Sequence, residues 1–98
     1  MTKESTITKK RAHVYYGGRV QGVGFRYTAE FLAQELNLTG WVKNMEDGGV
    51  ELVVEGREDL VKEFLDKIKA KMRLYIYDES IEWQPHKGEF KDFDIRFY

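Results

Sequence analysis

Arg11-Ala12-His13-Val14-Tyr15-Tyr16-Gly17-Gly18-Arg19-Val20-Gln21-Gly22-Val23-Gly24-Phe25 is the stretch on which the fold turns. Over Arg11–Tyr16, Ala12, Val14 and Tyr16 alternate with Arg11, His13 and Tyr15, the period of a half-buried strand. Four of the nine glycines then fall between Gly17 and Gly24, which predicts a loop. From Phe25 the period lengthens, and Phe25, Ala29, Leu32 and Leu36 recur at helical spacing. Asn37-Leu38-Thr39-Gly40 supplies residues suited to a left-handed cap and a turn.

Downstream the pattern continues as strand, strand, helix, strand. Trp41–Asn44 and Val50–Glu55 flank Met45-Glu46-Asp47-Gly48-Gly49, whose Asp-Gly pair signals a hairpin, and Gly56 closes the second of them. A second helix opens on Glu58 and Asp59 and closes on Lys67, Lys69 and Lys71, which complements the helix dipole. Val61, Phe64, Leu65, Ile68 and Met72 form its apolar stripe, with Glu58–Lys62 and Glu63–Lys67 as i,i+4 pairs. Tyr75–Trp83 is ambiguous but contains a fourth strand, placed at Glu79–Gln84. Pro85–Gly88 reads as a turn and Phe93–Tyr98 as a terminal strand.

The order β-α-β-β-α-β plus a short fifth strand predicts an α+β, ferredoxin-like sandwich. Its two helices lie on one face of an antiparallel sheet. In that topology the first and third strands are central neighbours and the second lies beside the third. The first two strands then point the same way, which carries Gly18–Gly24 toward Asn44. Residues 1–10 read as a flexible polar tail and residues 11–98 as a single domain.

Composition narrows the function classes. The 98 residues suit one domain. No cysteine is present, so disulfides, thiolate metal sites and Cys nucleophiles are excluded. A net charge of −1 argues against a duplex-binding protein. No apolar run approaches the ~20 residues of a membrane span, and the N-terminus lacks an apolar leader. These features fit a cytoplasmic protein. A charged fraction of 34% with two Asn and one Pro leans toward heat adaptation.

Three features carry chemistry. A glycine loop between a strand and a helix N-terminus can turn backbone N–H groups inward, an arrangement suited to an anion. It matches neither a Walker loop nor G-x-G-x-x-G, and a plain flexible connection has the same glycine content. Arg26, in the first helical turn, can bend back into that loop and offer a planar fork to two phosphate oxygens. A lone Arg there is otherwise a solvated surface group. Asn44 can accept a hydrogen bond from water and donate one to an oxyanion, although a turn-flanking Asn before Asp47-Gly48 is common.

Gly18-Arg19-Val20-Gln21-Gly22-Val23-Gly24-Phe25-Arg26 resembles the first signature of the acylphosphatase family. Gly40-Trp41-Val42-Lys43-Asn44, followed by Gly48-Gly49-Val50 and Gly56, resembles the second, and the resemblance spans roughly Arg11 to Tyr98. It implies hydrolysis of a small-molecule acyl phosphate to a carboxylate and phosphate, with inorganic phosphate or sulfate as product or inhibitor. Arg26 matches the phosphate-binding arginine and Asn44 the asparagine that positions water. The backbone of Val20, Gln21, Gly22, Val23 and Gly24 matches the phosphate cradle. No metal, cofactor, nucleic acid or membrane is implied, and a monomer is expected, with edge strands and Phe97-Tyr98 as the surface for a dimer. Met45 departs from the Thr that many members carry beside the Asn. Lys71–Tyr75 replaces the family's usual Gly-Pro turn.

An acyl phosphate needs little machinery. Its leaving carboxylate is stable without a proton, so a general acid is not required. A loose transition state asks mainly for positioning and charge stabilisation. Rival chemistries lack residues: the only serines are Ser5 and Ser80, and His13 and His86 lack ligand spacing. Two other readings stand beside the hydrolase. One is a non-catalytic phosphate- or anion-binding module of the same fold. The other is an RNA-binding domain using Tyr15, Trp41 and Tyr75, which lacks an RNP-type motif and a basic excess.

Overall fold

A computed structural model describes residues 8–97. The elements are β1 (Lys9–Gly18), α1 (Phe25–Glu35), β2 (Thr39–Asn44), β3 (Val50–Arg57), α2 (Glu58–Lys71), β4 (Ile76–Pro85) and β5 (Phe93–Arg96). They form one five-stranded sheet in the order β4-β1-β3-β2-β5. The predicted ferredoxin-like order is present, with β1 and β3 as antiparallel central neighbours and β2 antiparallel to β3. β5 runs parallel to β2, which makes the sheet mixed. Alternation identified β5 as a strand but carries no direction.

Packing follows from the two periodicities. Ala12, Val14, Tyr16, Val42, Val50, Leu52 and Val54 project to one sheet face. There they meet Phe25, Ala29, Leu32 and Ala33 of α1 and Val61, Phe64, Leu65 and Ile68 of α2. Each such large side chain contributes about 1.5–3 kcal/mol on burial. Leu36, expected on the α1 stripe, is the C-cap and is only partly buried. Asn37 takes φ 56°, the left-handed stop expected of it. The predicted α2 pairs Glu58–Lys62 and Glu63–Lys67 form at 3.1 and 3.7 Å.

Boundaries shift where backbone partners are available. β1 starts at Lys9, because Lys9 and Lys10 pair with Arg57 and Gly56. Only residues 1–7 of the expected tail, together with Tyr98, lie outside the described residues. β1 also runs on to Gly18 through a register shift at Gly17/Gly18. β4 is longer at both ends than the expected Glu79–Gln84, so Pro85 ends a strand instead of opening a turn. The segment after α2, without a Gly-Pro turn, closes on the Met72 carbonyl, which accepts from Tyr75 N at 2.9 Å and Ile76 N at 3.0 Å. Tyr75 then accepts from Arg19 N at 2.8 Å, fixing the start of the β1–α1 loop.

The sheet face opposite the helices holds two buried carboxylates, Glu51 and Glu55. Glu55 accepts from the Lys87 and Gly88 N–H groups at 2.9 and 3.0 Å and pairs with Arg11 at 3.2 Å. It thereby pins the β4–β5 connection to the sheet. That connection delivers β5 to the side of β2, the strand that ends on Asn44.

Candidate active site

The sheet register sets the site's geometry. Tyr16 of β1 and Asn44 of β2 both sit opposite Val50 of β3. Two strand spacings, roughly 10 Å, therefore separate the end of β1 from Asn44. The loop 19–24 leaves β1 at this point and leads into α1.

Gly22 and Gly24 take φ 78° and 81°, left-handed conformations that strain any residue with a Cβ. Space is not the constraint, because a Cβ at either would meet nothing within 4 Å. Gly24 is also the N-cap of α1 and supplies no side-chain cap. The first turn, Phe25-Arg26-Tyr27-Thr28, contains no acid. Among the described residues, no backbone N–H of Val20–Gly24 donates to a protein acceptor. Unpaired donors beside the positive end of a helix dipole make a site for an anion.

A cavity of about 250 Å³ opens here, lined by Val20, Gly22, Gly24, Phe25, Arg26, Tyr27 and Asn44. A single water occupies about 30 Å³ of liquid, so a phosphate group and a water fit together. The structure thus brings Arg26 and Asn44 to one cavity, with three of the five expected loop residues. Val23 turns instead toward the core, packed partly against it. Arg26 has no carboxylate partner among the described residues; its guanidinium carbon lies 5.2 Å from the Phe97 ring centroid. The Asn44 carboxamide is likewise without a protein partner among the described residues.

Gln21 contributes more than backbone. Its Nε2 donates to the Met45 carbonyl at 2.7 Å and the Gly49 carbonyl at 2.9 Å. These carbonyls stand at the two sides of the β2–β3 hairpin, closed by Met45 N to Gly49 O at 2.9 Å. One side chain therefore clamps the loop to the turn that follows Asn44. Support beside Asn44 comes through the Met45 main chain, where a Thr hydroxyl is absent. The sequence held no local signal for this role, because a Gln within a glycine run reads as solvated.

Among the described residues, none that lines the cavity is a carboxylate or a histidine. Tyr16, whose ring lies 4.9 Å from Phe25, is buried beneath the loop. Burial pushes its phenol pKa up, and the charge of Glu79 adds to the effect, so it stays protonated. A larger depression of about 430 Å³ lies among Tyr15, Met45, Asp47, Asp78, Glu79 and Ser80. Its three acids repel an anion. Among the described residues no three His, Cys, Asp or Glu are grouped to hold a metal ion.

Fold and cavity together define a small α+β sandwich with a cavity at its first strand–helix turn that holds Arg26 and Asn44. An Acylphosphatase family model matches residues 12–95, and the chain belongs to the acylphosphatase family. An acylphosphatase of Geobacillus kaustophilus is 56% identical over 89 residues, covering 90% of this chain and 95% of that one. One from Caldanaerobacter subterraneus is 43% identical over 88 residues, covering 89% and 98%. The crystal structure of the Bacillus subtilis acylphosphatase superposes with a TM-score of 0.83 at 34% identity, covering 89% of this chain and 98% of that one.

Proposed function

We propose that this chain hydrolyses acyl phosphates without a metal, using the Arg26–Asn44 cavity. The observation that carries the reading is that loop amides, a guanidinium and a carboxamide, none of them paired to another described residue's acceptor or carboxylate, share one cavity. The Val20–Gly24 amides and Arg26 hold the phosphate oxygens. Charge that spreads over those oxygens in a loose transition state meets fixed donors, which need no reorganisation. The Asn44 carboxamide oxygen accepts a hydrogen bond from the attacking water and aims the water's lone pair at phosphorus.

The bond from the water oxygen to phosphorus forms as the phosphorus–acyl oxygen bond breaks. The carboxylate leaves with the electron pair. No carboxylate, histidine or lysine is among the described lining residues to act as general base, so a phosphate oxygen takes the water's proton, and no covalent intermediate forms. Inorganic phosphate and sulfate, which match the same donors, act as competitive inhibitors.

The pocket is complete within one chain, so the monomer is the active unit. A cytoplasmic setting belongs to the same reading: a labile mixed anhydride is met where it is made, and a chain without thiols is indifferent to reducing conditions. Heat stability is proposed from the charged fraction and from paired charges, among them Glu55 with Arg11 and Glu51 with Lys43.

Phosphate release from benzoyl phosphate tests the scheme. Arg26→Ala should lower kcat/KM by at least about 100-fold, the usual loss for a transition-state donor, and weaken inhibition by phosphate. Asn44→Ala should lower kcat by a similar factor while leaving phosphate inhibition nearly unchanged. Full turnover in Asn44→Ala would remove the water-positioning role. Phosphate binding by the wild-type chain without turnover would make it a binding module.

A further inference from the structure

The two helices present different solvent faces. The exposed positions of α2 are Asp59, Lys62, Glu63, Asp66, Lys67, Lys69, Ala70 and Lys71, with no aromatic among them. α1 instead exposes Tyr27 at 65% and Phe31 at 60%, four residues apart and so on one strip of the helix. Tyr27 is also a wall of the phosphate cavity. Phe97, 74% exposed, stands on the neighbouring Arg26. Leu74 and Tyr77 are as exposed, at 73% and 69%, but neither lines the cavity; the α1 strip, through Tyr27, does.

In-line displacement gives that surface a direction. Asn44 is at the end of a sheet strand, so water held by it approaches phosphorus from the sheet side. The leaving oxygen then departs on the opposite side, away from the sheet. Tyr27 lines the same cavity from α1, and Phe31 follows one turn on along that helix. We propose that Tyr27 and Phe31 form an acyl-group subsite that selects acyl phosphates with an aromatic or extended apolar acyl group. The inference rests on the hydrolase reading above. It assigns the part of the substrate that the phosphate pocket does not touch.

The test compares kcat/KM for benzoyl phosphate and acetyl phosphate, whose intrinsic reactivities cancel when the ratio is compared between wild type and variants. Tyr27→Ser should lower the benzoyl-to-acetyl ratio by about 5- to 10-fold, and Phe31→Ser by about 2- to 4-fold, chiefly through KM for benzoyl phosphate. Tyr27→Phe should restore the wild-type ratio, since the ring and not the hydroxyl makes the contact. An unchanged ratio in both Ser variants, with turnover of both substrates, overturns the subsite and leaves the hydrolase reading standing. Absence of phosphate release by wild type from either substrate overturns both.

Discussion

Replacing Gln21 by alanine isolates the clamp between the phosphate loop and the hairpin. The wild-type amide donates two hydrogen bonds, at 2.7 and 2.9 Å, each contributing about 0.5–1.5 kcal/mol. Neither acceptor is orphaned by the change. Met45 O still accepts from Gly48 N at 3.1 Å, and Gly49 O from Met45 N at 2.9 Å. The full penalty of a buried unpaired group is therefore not incurred, and the loss is about 1–2 kcal/mol. For a domain of this size that lowers Tm by about 5–15 °C. The catalytic effect is larger in proportion. A displacement of order 1 Å between water and phosphorus costs about 100-fold, so kcat should fall by roughly 10- to 100-fold. Phosphate inhibition should change little, because the loop amides and Arg26 remain. Gln21→Glu should be more destabilising than Gln21→Ala, since a carboxylate offers only acceptors to two carbonyls. Thermal melts, benzoyl phosphate kinetics and phosphate inhibition read these separately. A lowered Tm with unaltered kcat would show that the clamp holds the fold but not the catalytic geometry. An unaltered Tm would show that the two bonds contribute nothing.

Gly24→Ala forces a Cβ onto φ 81° and should lower stability in urea melts by about 1–2 kcal/mol; an unchanged midpoint would contradict the strain argument. Glu55→Ala leaves Arg11 and the Lys87 and Gly88 N–H groups without their buried acceptor, and should cost about 3–5 kcal/mol. A loss under about 1 kcal/mol would mean that water replaces the carboxylate freely. Benzoyl phosphate turnover should persist in excess EDTA; activity lost there and restored by a divalent ion would defeat the metal-free scheme.

Local periodicity carried most of the architecture. The switch from period two to helical spacing at Phe25 located the start of α1 to the residue, and the charge gradient from Glu58 to Lys71 located α2. Topology then placed the β1–α1 loop beside the end of β2, and Arg26 and Asn44 do line one cavity. What escaped the sequence depends on partners distant along the chain. The acceptors of the Gln21 amide lie 24 and 28 residues away. Glu55 stands on the sheet face away from the helices, where a carboxylate is ordinarily solvated. It is buried because the backbone 32 and 33 residues further on folds over it. β4 outran its expected length because pairing with β1, not side-chain pattern, decides where an edge strand stops.

Cations on this chain are held in two ways, by carboxylates or by aromatic rings. Arg11, Lys43, Arg57, Lys62, Lys67 and Lys69 each stand within 4 Å of a carboxylate. Among the described residues Arg26 meets a ring instead, Phe97, as Arg96 meets Trp41. The difference is chemical. A carboxylate would occupy the guanidinium's fork and cancel its charge, so an arriving phosphate would first have to displace it. The face of an aromatic ring attracts the cation through its quadrupole while leaving the in-plane N–H donors free. The amides of Val20–Gly24 are uncommitted in the same sense, made so by two left-handed glycines and an uncapped helix end. Donors kept unpaired cost stability, and paired charge and packed core elsewhere in the chain offset that cost. An enzyme whose substrate already carries a good leaving group can be built from such donors and a positioned water, since the bond to be broken asks for no stronger chemistry.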